Sequence, residues 1–266
     1  MLTTDQKAHF DTFGFLSIKQ AIFTKTIMQI SEEVDSMLEK NRDGRPFATE
    51  DQVISPFVSQ STTITKLVND SIAEIVADLI GPGFIWAGSE CHATLNSTHG
   101  WHADRTSEAA EELAYIRLKI NMYLDPITAE NGALRVLPGS HQPEFHRILE
   151  PLETIHLEAG NSDPMATPYG VLGPDMPFVA FESMPGDLIC FNQSLFHSVF
   201  NGFAGRRYVA LKFAAKPTTE THYNVIADTV DLSPGPDLDP EIDRVPLPGV
   251  QEICKRTEAI RVRIAP

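Results

Sequence analysis

Ile116-Arg117-Leu118-Lys119-Ile120-Asn121-Met122-Tyr123-Leu124 alternates apolar and polar side chains without a break. Successive side chains of a strand leave opposite faces, so Ile116, Leu118, Ile120, Met122 and Leu124 form one face and Arg117, Lys119, Asn121 and Tyr123 the other. The stretch reads as one strand of an antiparallel sheet with its apolar face on a core. Its polar face has two destinations, bulk water or the wall of a cavity.

On either side the pattern recurs in shorter pieces. From about Phe84 to Lys216, brief alternating segments separated by turn residues predict an antiparallel sandwich or barrel. Before it, helices occupy about residues 3–80. Thr4 caps a short one running to Phe13. Thr24 caps a longer one with Ile27, Ile30, Val34 and Met37 on one face. A third follows Thr63, carries Leu67, Ile72, Ile75 and Leu79, and is closed by Gly81-Pro82-Gly83. Such stripes need a sheet to cover. Between Gly139 and Pro185 a long stretch rich in proline and glycine, including Thr167-Pro168-Tyr169-Gly170 and Gly173-Pro174-Asp175-Met176-Pro177, predicts an irregular loop that covers a ligand. The tail, 217–266, holds Pro234-Gly235-Pro236-Asp237-Leu238-Asp239-Pro240-Glu241, a stretch that is acidic, punctuated by proline and not expected to form core. No linker or repeat divides the chain, so 1–266 reads as one domain, mainly β with flanking helices.

Composition excludes several functions. A formal net charge of −15 over 266 residues opposes binding to nucleic acid or to an anionic membrane surface. No apolar run approaches the ~20 residues that span a bilayer. Met1-Leu2-Thr3-Thr4-Asp5-Gln6-Lys7 shows no secretory signal, which makes the cytoplasm the expected location. Cys91, Cys190 and Cys254 are odd in number and far apart, and read as reduced, packed thiols.

The chemistry concentrates at Gly100-Trp101-His102-Ala103-Asp104 and, far downstream, at His197 in Asn192-Gln193-Ser194-Leu195-Phe196-His197-Ser198. His102 and Asp104 are two apart, so an extended segment presents both on one face. With His197 they supply two imidazoles and a carboxylate, a set that holds non-haem Fe(II) on one side and leaves open positions on the other. Trp101 can wall the site. Asn201-Gly202-Phe203-Ala204-Gly205 then delivers Arg206 and Arg207, either of which could clamp a carboxylate bidentately. Alternation places Arg206 with Tyr208 and Lys212, and Arg207 with Val209, Leu211 and Phe213.

In their order, Trp101-His102-Ala103-Asp104, Tyr123-Leu124-Asp125, Asn131-Gly132-Ala133-Leu134, Leu137-Pro138-Gly139-Ser140-His141, Pro185-Gly186-Asp187, His197 and Arg206-Arg207 resemble the phytanoyl-CoA dioxygenase (PhyH) family of Fe(II)- and 2-oxoglutarate-dependent oxygenases. The resemblance covers roughly residues 8–215, since Phe13-Gly14-Phe15-Leu16 looks like the family's first strand after an amino-terminal helix. It implies a double-stranded β-helix, or cupin-like jelly roll, in which the apolar face of the alternating strand packs on helices and the polar face lines the cavity. It further implies Fe(II) on His102, Asp104 and His197, with 2-oxoglutarate and O2 as cosubstrates and succinate and CO2 as by-products. Arg206 matches the family's cosubstrate arginine better than Arg207, although its gap from His197 is slightly short, which leaves Arg207 open. Asn121 and Thr94 are candidate cosubstrate contacts, and Lys119, Arg117, Tyr123 and Arg135 candidate substrate contacts. Halogenating relatives leave the carboxylate position to a small residue; Asp104 fills it, which favours hydroxylation of a small metabolite or natural-product intermediate, with desaturation, ring formation or epimerisation open to the same oxidant. Asp187 and His141 read as turn residues, and His92 and His99 as outer or exposed ones. A cupin-like metalloprotein with a non-oxidative or binding role is the alternative; it would not need an arginine facing the metal.

Overall fold

The alternating stretch is a strand, Arg117–Tyr123, in the interior of a six-stranded sheet. The computed structural model describes residues 1–45, 51–55, 57–95, 98–104, 110–159 and 166–229. In chain order its elements are α1 (Thr4–Phe13), β1 (Phe15–Ile18), α2 (Thr24–Arg42), β2 (Gln52–Ile54), α3 (Thr62–Leu67), α4 (Ala73–Ile80), β3 (Ile85–Thr94), β4 (His99–His102) and α5 (Ala110–Ala114). Then come β5 (Arg117–Tyr123), β6 (Leu134–Val136), α6 (Pro143–Ala159), β7 (Val179–Ala180), β8 (Leu188–Asn192), β9 (His197–Val199), β10 (Arg206–Ala214) and α7 (Glu220–Thr229).

Two antiparallel sheets face each other in a jelly roll, ordered β1-β8-β5-β10-β3-β2 and β4-β9-β6-β7. The outer face of the large sheet carries Leu118, Ile120 and Met122 of β5 with Val209, Leu211 and Phe213 of β10. Helices α2 to α4 cover it with Ile27, Ile30, Val34, Leu38, Ile64, Val76 and Leu79. Each large side chain fully buried in this way contributes about 1.5–3 kcal/mol, which is why the strand's apolar phase faces the helices. Its other phase faces the second sheet, where Tyr123, Ile189 and Phe191 meet Leu134, Val136 and Val199.

Local chemistry sets the helix ends. Thr3 caps α1, one residue earlier than Thr4, because its hydroxyl accepts from Gln6 N–H while the Gln6 side chain returns to the Thr3 backbone. The helix stops at Gly14, whose φ of 82° is open to glycine. Between α3 and α4 a wide π turn, Val68–Ile72, keeps Ile64, Val68, Ile72 and Val76 on one buried face. In a regular α-helix a four-residue spacing overshoots the turn of 3.6 residues and drifts.

One expectation is corrected, and one segment is added to the core. The stretch after Gly139 is not irregular throughout, since its first part is the helix α6. Pro143 sits in the first turn, where no N–H is needed, and Pro151 lies inside the helix. The segment after Lys216 also contributes to a core, because Val225 and Ile226 of α7 pack on Ile85, Tyr115 and Ala214. Pro234 to Glu241 and Cys254 lie outside the described residues. Cys91 and Cys190 are buried free thiols, each pushed up to about 12 by burial. Among the described residues no helix is long and apolar enough to cross a membrane.

Candidate metal centre

Strands β4 and β9 pair so that His102 and His197, far apart in sequence, are direct cross-strand partners. Asp104 follows where the chain leaves β4. Its Oδ1 lies 4.0 Å from His102 Nε2 and 3.8 Å from His197 Nε2. One donor atom from each of the three residues falls within 4.8 Å of the others, the only such cluster among the described residues.

The rings are held for this task. His102 Nδ1 lies 2.8 Å from the Gly100 carbonyl and His197 Nδ1 2.9 Å from that of Leu195. A carbonyl only accepts, so each Nδ1 carries the proton and each Nε2 keeps a lone pair pointing at Asp104. Burial pushes His197 down toward the neutral form, against the pull of Asp104. Burial acts to raise Asp104, yet the Lys119 ammonium and the two imidazoles hold it well below the usual carboxylate range. Two imidazole nitrogens and one carboxylate therefore converge, a donor set that suits a divalent transition metal.

The metal strand is braced from outside. Trp101, almost fully buried, donates from Nε1 to the Gly173 carbonyl at 2.8 Å, and Ala103 N–H donates to Glu153 Oε2 at 2.9 Å. Glu153 belongs to α6, so the helix missed in the sequence fixes the backbone between two of the candidate ligands. Glu153→Ala is expected to weaken Ni(II) binding by about 10–100-fold, as outer-shell partners of metal ligands do, and Glu153→Gln to restore most of it, both by calorimetric titration.

At the other end of the cavity stands Arg206, 1% exposed. Its Nε donates to Thr94 Oγ1 at 3.3 Å, Nη1 donates to the Gly132 carbonyl, and Cζ lies 5.6 Å from the Tyr123 and Tyr208 ring centroids. Arg207 points the opposite way, forking onto Asp125 with Nη2···Oδ1 at 2.8 Å and Nε···Oδ2 at 3.3 Å, and reaching Asp35 and Ser31 of α2. Gly132 has φ of +100°, and a Cβ there would stand 2.7 Å from Gly202 Cα. Gly132→Ala is expected to cost at least about 2 kcal/mol, lowering Tm by roughly 4–8 °C in a domain of this size, as differential scanning calorimetry would show.

The remaining candidates divide. Asn121 is buried on the cavity face, and its Oδ1 is without a hydrogen-bond partner, an orphan that a bound molecule could satisfy, with N–H presented instead if the amide is turned end for end. Thr94 serves Arg206, and the Tyr123 ring flanks it. Lys119 contacts Asp104 Oδ2 at 2.8 Å. Arg117 lies at the start of β5, opposite Ala214 and far along the strand from Arg206. Arg135 is not brought to the other candidates: Leu134 and Val136 take the inward positions of β6, and Arg135 donates to the Pro174 and Ala129 carbonyls and lies over Phe178 and Phe200. His92, read as an outer residue, stacks on Tyr208 at 4.4 Å and contacts Glu90. Glu90 was missed, although its alternation with His92 and Thr94 marks it as inward. Asp187 does fix its turn, accepting from Met184 and Gln20 N–H.

The family model for phytanoyl-CoA dioxygenase (PhyH) matches residues 10–201. No curated protein sequence matches significantly. Solved structures with this fold include HygX from Streptomyces hygroscopicus with nickel and 2-oxoglutarate bound, 17% identical over 83% of this chain and 90% of that one, TM-score 0.59. EctD from S. alaskensis with bound Fe is 18% identical over 80% of this chain and 77% of that one, TM-score 0.56. The non-haem alpha ketoglutarate dependent carbocyclase SnoK from nogalamycin biosynthesis is 15% identical over 80% and 84%, TM-score 0.57.

Proposed function

Because the chain belongs to the phytanoyl-CoA dioxygenase family, we propose that it acts, as one domain, as an Fe(II)- and 2-oxoglutarate-dependent oxygenase that hydroxylates a small molecule. The observation that carries the reading is a two-imidazole, one-carboxylate donor set together with a buried arginine on the same face of the large sheet, since Lys119, which contacts Asp104, and Tyr123, which flanks Arg206, share one phase of β5.

In this reading His102 Nε2, Asp104 Oδ1 and His197 Nε2 hold the metal. Arg206 receives the far carboxylate of 2-oxoglutarate; Thr94 and the Gly132 carbonyl fix its guanidinium, and the Tyr123 and Tyr208 rings exclude water around it. Asn121 faces the cosubstrate. Arg207 is already engaged by Asp125 and Asp35 on the helix side and has no part in the cavity. When bound, iron and the keto acid supply the oxidising power, one oxygen atom of O2 going to succinate and the other to the substrate carbon, with CO2 released. The chain's own residues orient the reactants and keep the cavity dry. A relative in this fold is a carbocyclase; Asp104 in the carboxylate position argues against halogenation, and among the remaining outcomes hydroxylation is the reading adopted here.

The test is 2-oxoglutarate turnover. Fe(II)-loaded protein in air should release succinate slowly without substrate, and His197→Ala should not. Metal binding with no consumption of 2-oxoglutarate would favour a cupin-like protein of another activity.

A further inference from the structure

Lys119 of β5 and Lys212 of β10 are register partners, and both belong to the cavity-facing phase of their strands. Like charges directly opposite each other destabilise an antiparallel pair. Each ammonium turns to an acid instead: Lys119 Nζ donates to Asp104 Oδ2 at 2.8 Å, and Lys212 Nζ donates to Glu90 Oε1, whose other oxygen lies 3.1 Å from His92 Nε2. Burial acts to raise Glu90, but His92, Lys212 and Lys119 bring it to about 2, so it is anionic at neutral pH.

The two acids are not equivalent. Asp104 is the proposed metal ligand, so in the loaded protein its charge is shared with a divalent ion and Glu90 alone remains for both lysines. The ion, Asp104 and the chelating carboxylate of 2-oxoglutarate together sum to zero, and the far carboxylate cancels Arg206. Lys119, Lys212 and Glu90 by themselves then carry one net positive charge, and Arg117 lies two residues before Lys119 on the same face of β5. Lys212 stands six residues beyond Arg206 on the same face of β10, about 20 Å along the strand at ~3.3 Å per residue. The cosubstrate's arginine and the lysine pair therefore mark opposite ends of the cavity, and Asp104 touches the lysine end.

Resting on the oxygenase reading, we propose that the Lys119–Lys212 end is the substrate subsite and that it selects a substrate bearing a carboxylate. A carboxylate offsets that positive charge, satisfies the opposed lysines together and gives Lys119 a second partner when the metal draws on Asp104. A neutral substrate would leave that charge partly desolvated, and a cationic one would add to it.

The experiment is calorimetric titration of hexanoate, 1-hexanol and hexylamine into protein loaded with Ni(II), a redox-inert stand-in, and saturating 2-oxoglutarate. Hexanoate is expected to bind at least about 10-fold more tightly than either same-length competitor. Lys119→Met and Lys212→Met should each weaken hexanoate by about 10-fold while sparing hexanol, the scale of losing one close charge partner. A complete Ni(II)·2-oxoglutarate complex with no preference for hexanoate, or with a preference that survives in both variants, overturns the subsite. Failure of Ni(II) or 2-oxoglutarate to bind at all is a different result, since it removes the oxygenase reading on which the subsite rests.

Discussion

Asp104→Asn is expected to abolish Fe(II)-dependent turnover and to weaken metal binding by more than the about 10–100-fold that loss of an outer-shell partner costs. The carboxylate is the sole anionic donor of the cluster, and its Oδ1 stands within 4.0 Å of both imidazole nitrogens. An amide keeps the shape and loses the charge. The substitution also leaves the Lys119 ammonium in a mostly buried position facing a neutral partner, so the apo fold should lose stability as well. Calorimetric Ni(II) titration of the folded variant separates the two effects. Retained tight binding would mean that the metal, if held, is held elsewhere.

Arg206→Met is expected to weaken 2-oxoglutarate by about 100-fold, the size of truncating one partner of a buried, hydrogen-bonded charge pair, with Ni(II) affinity nearly unchanged. Methionine fills much of the volume between Tyr123 and Tyr208 and removes only the fork. Arg207→Met is the contrast. Its guanidinium holds Asp125 against β10 and is partly solvent-screened where it meets Asp35, so the expected outcome is about 1–2 kcal/mol of lost stability with 2-oxoglutarate affinity intact. Equal effects on the cosubstrate would mean that the period-two argument chose the wrong side of the strand.

That argument shows where sequence is informative. A strand's alternation is exact over nine residues at Ile116–Leu124, and the inner and outer faces of β5 follow from it once a helical layer is known to cover one side. The same parity separates Arg206 from Arg207, because Tyr208 and Lys212 share the phase of the first and Val209, Leu211 and Phe213 that of the second. Short elements are less legible. β6 has three residues, and its parity alone does not say which sheet face is inward, so the sequence does not fix the side that Arg135 takes. Helix α6 was hidden by Pro151 and by the glycines and prolines that follow it. Its Glu153, which holds the ligand backbone, carries no local motif at all. The pairing of His102 with His197 is a long-range register, set by how the small sheet closes. Residue types could nominate both histidines and only the fold could bring them together.

The most direct measurement is an anaerobic titration of Fe(II), then 2-oxoglutarate, into the purified protein, followed by visible absorption. The account predicts a weak charge-transfer band that saturates at one equivalent of 2-oxoglutarate per iron, is lost in His197→Ala and is weakened in Arg206→Met. Bound iron with no band at any concentration of 2-oxoglutarate would contradict it.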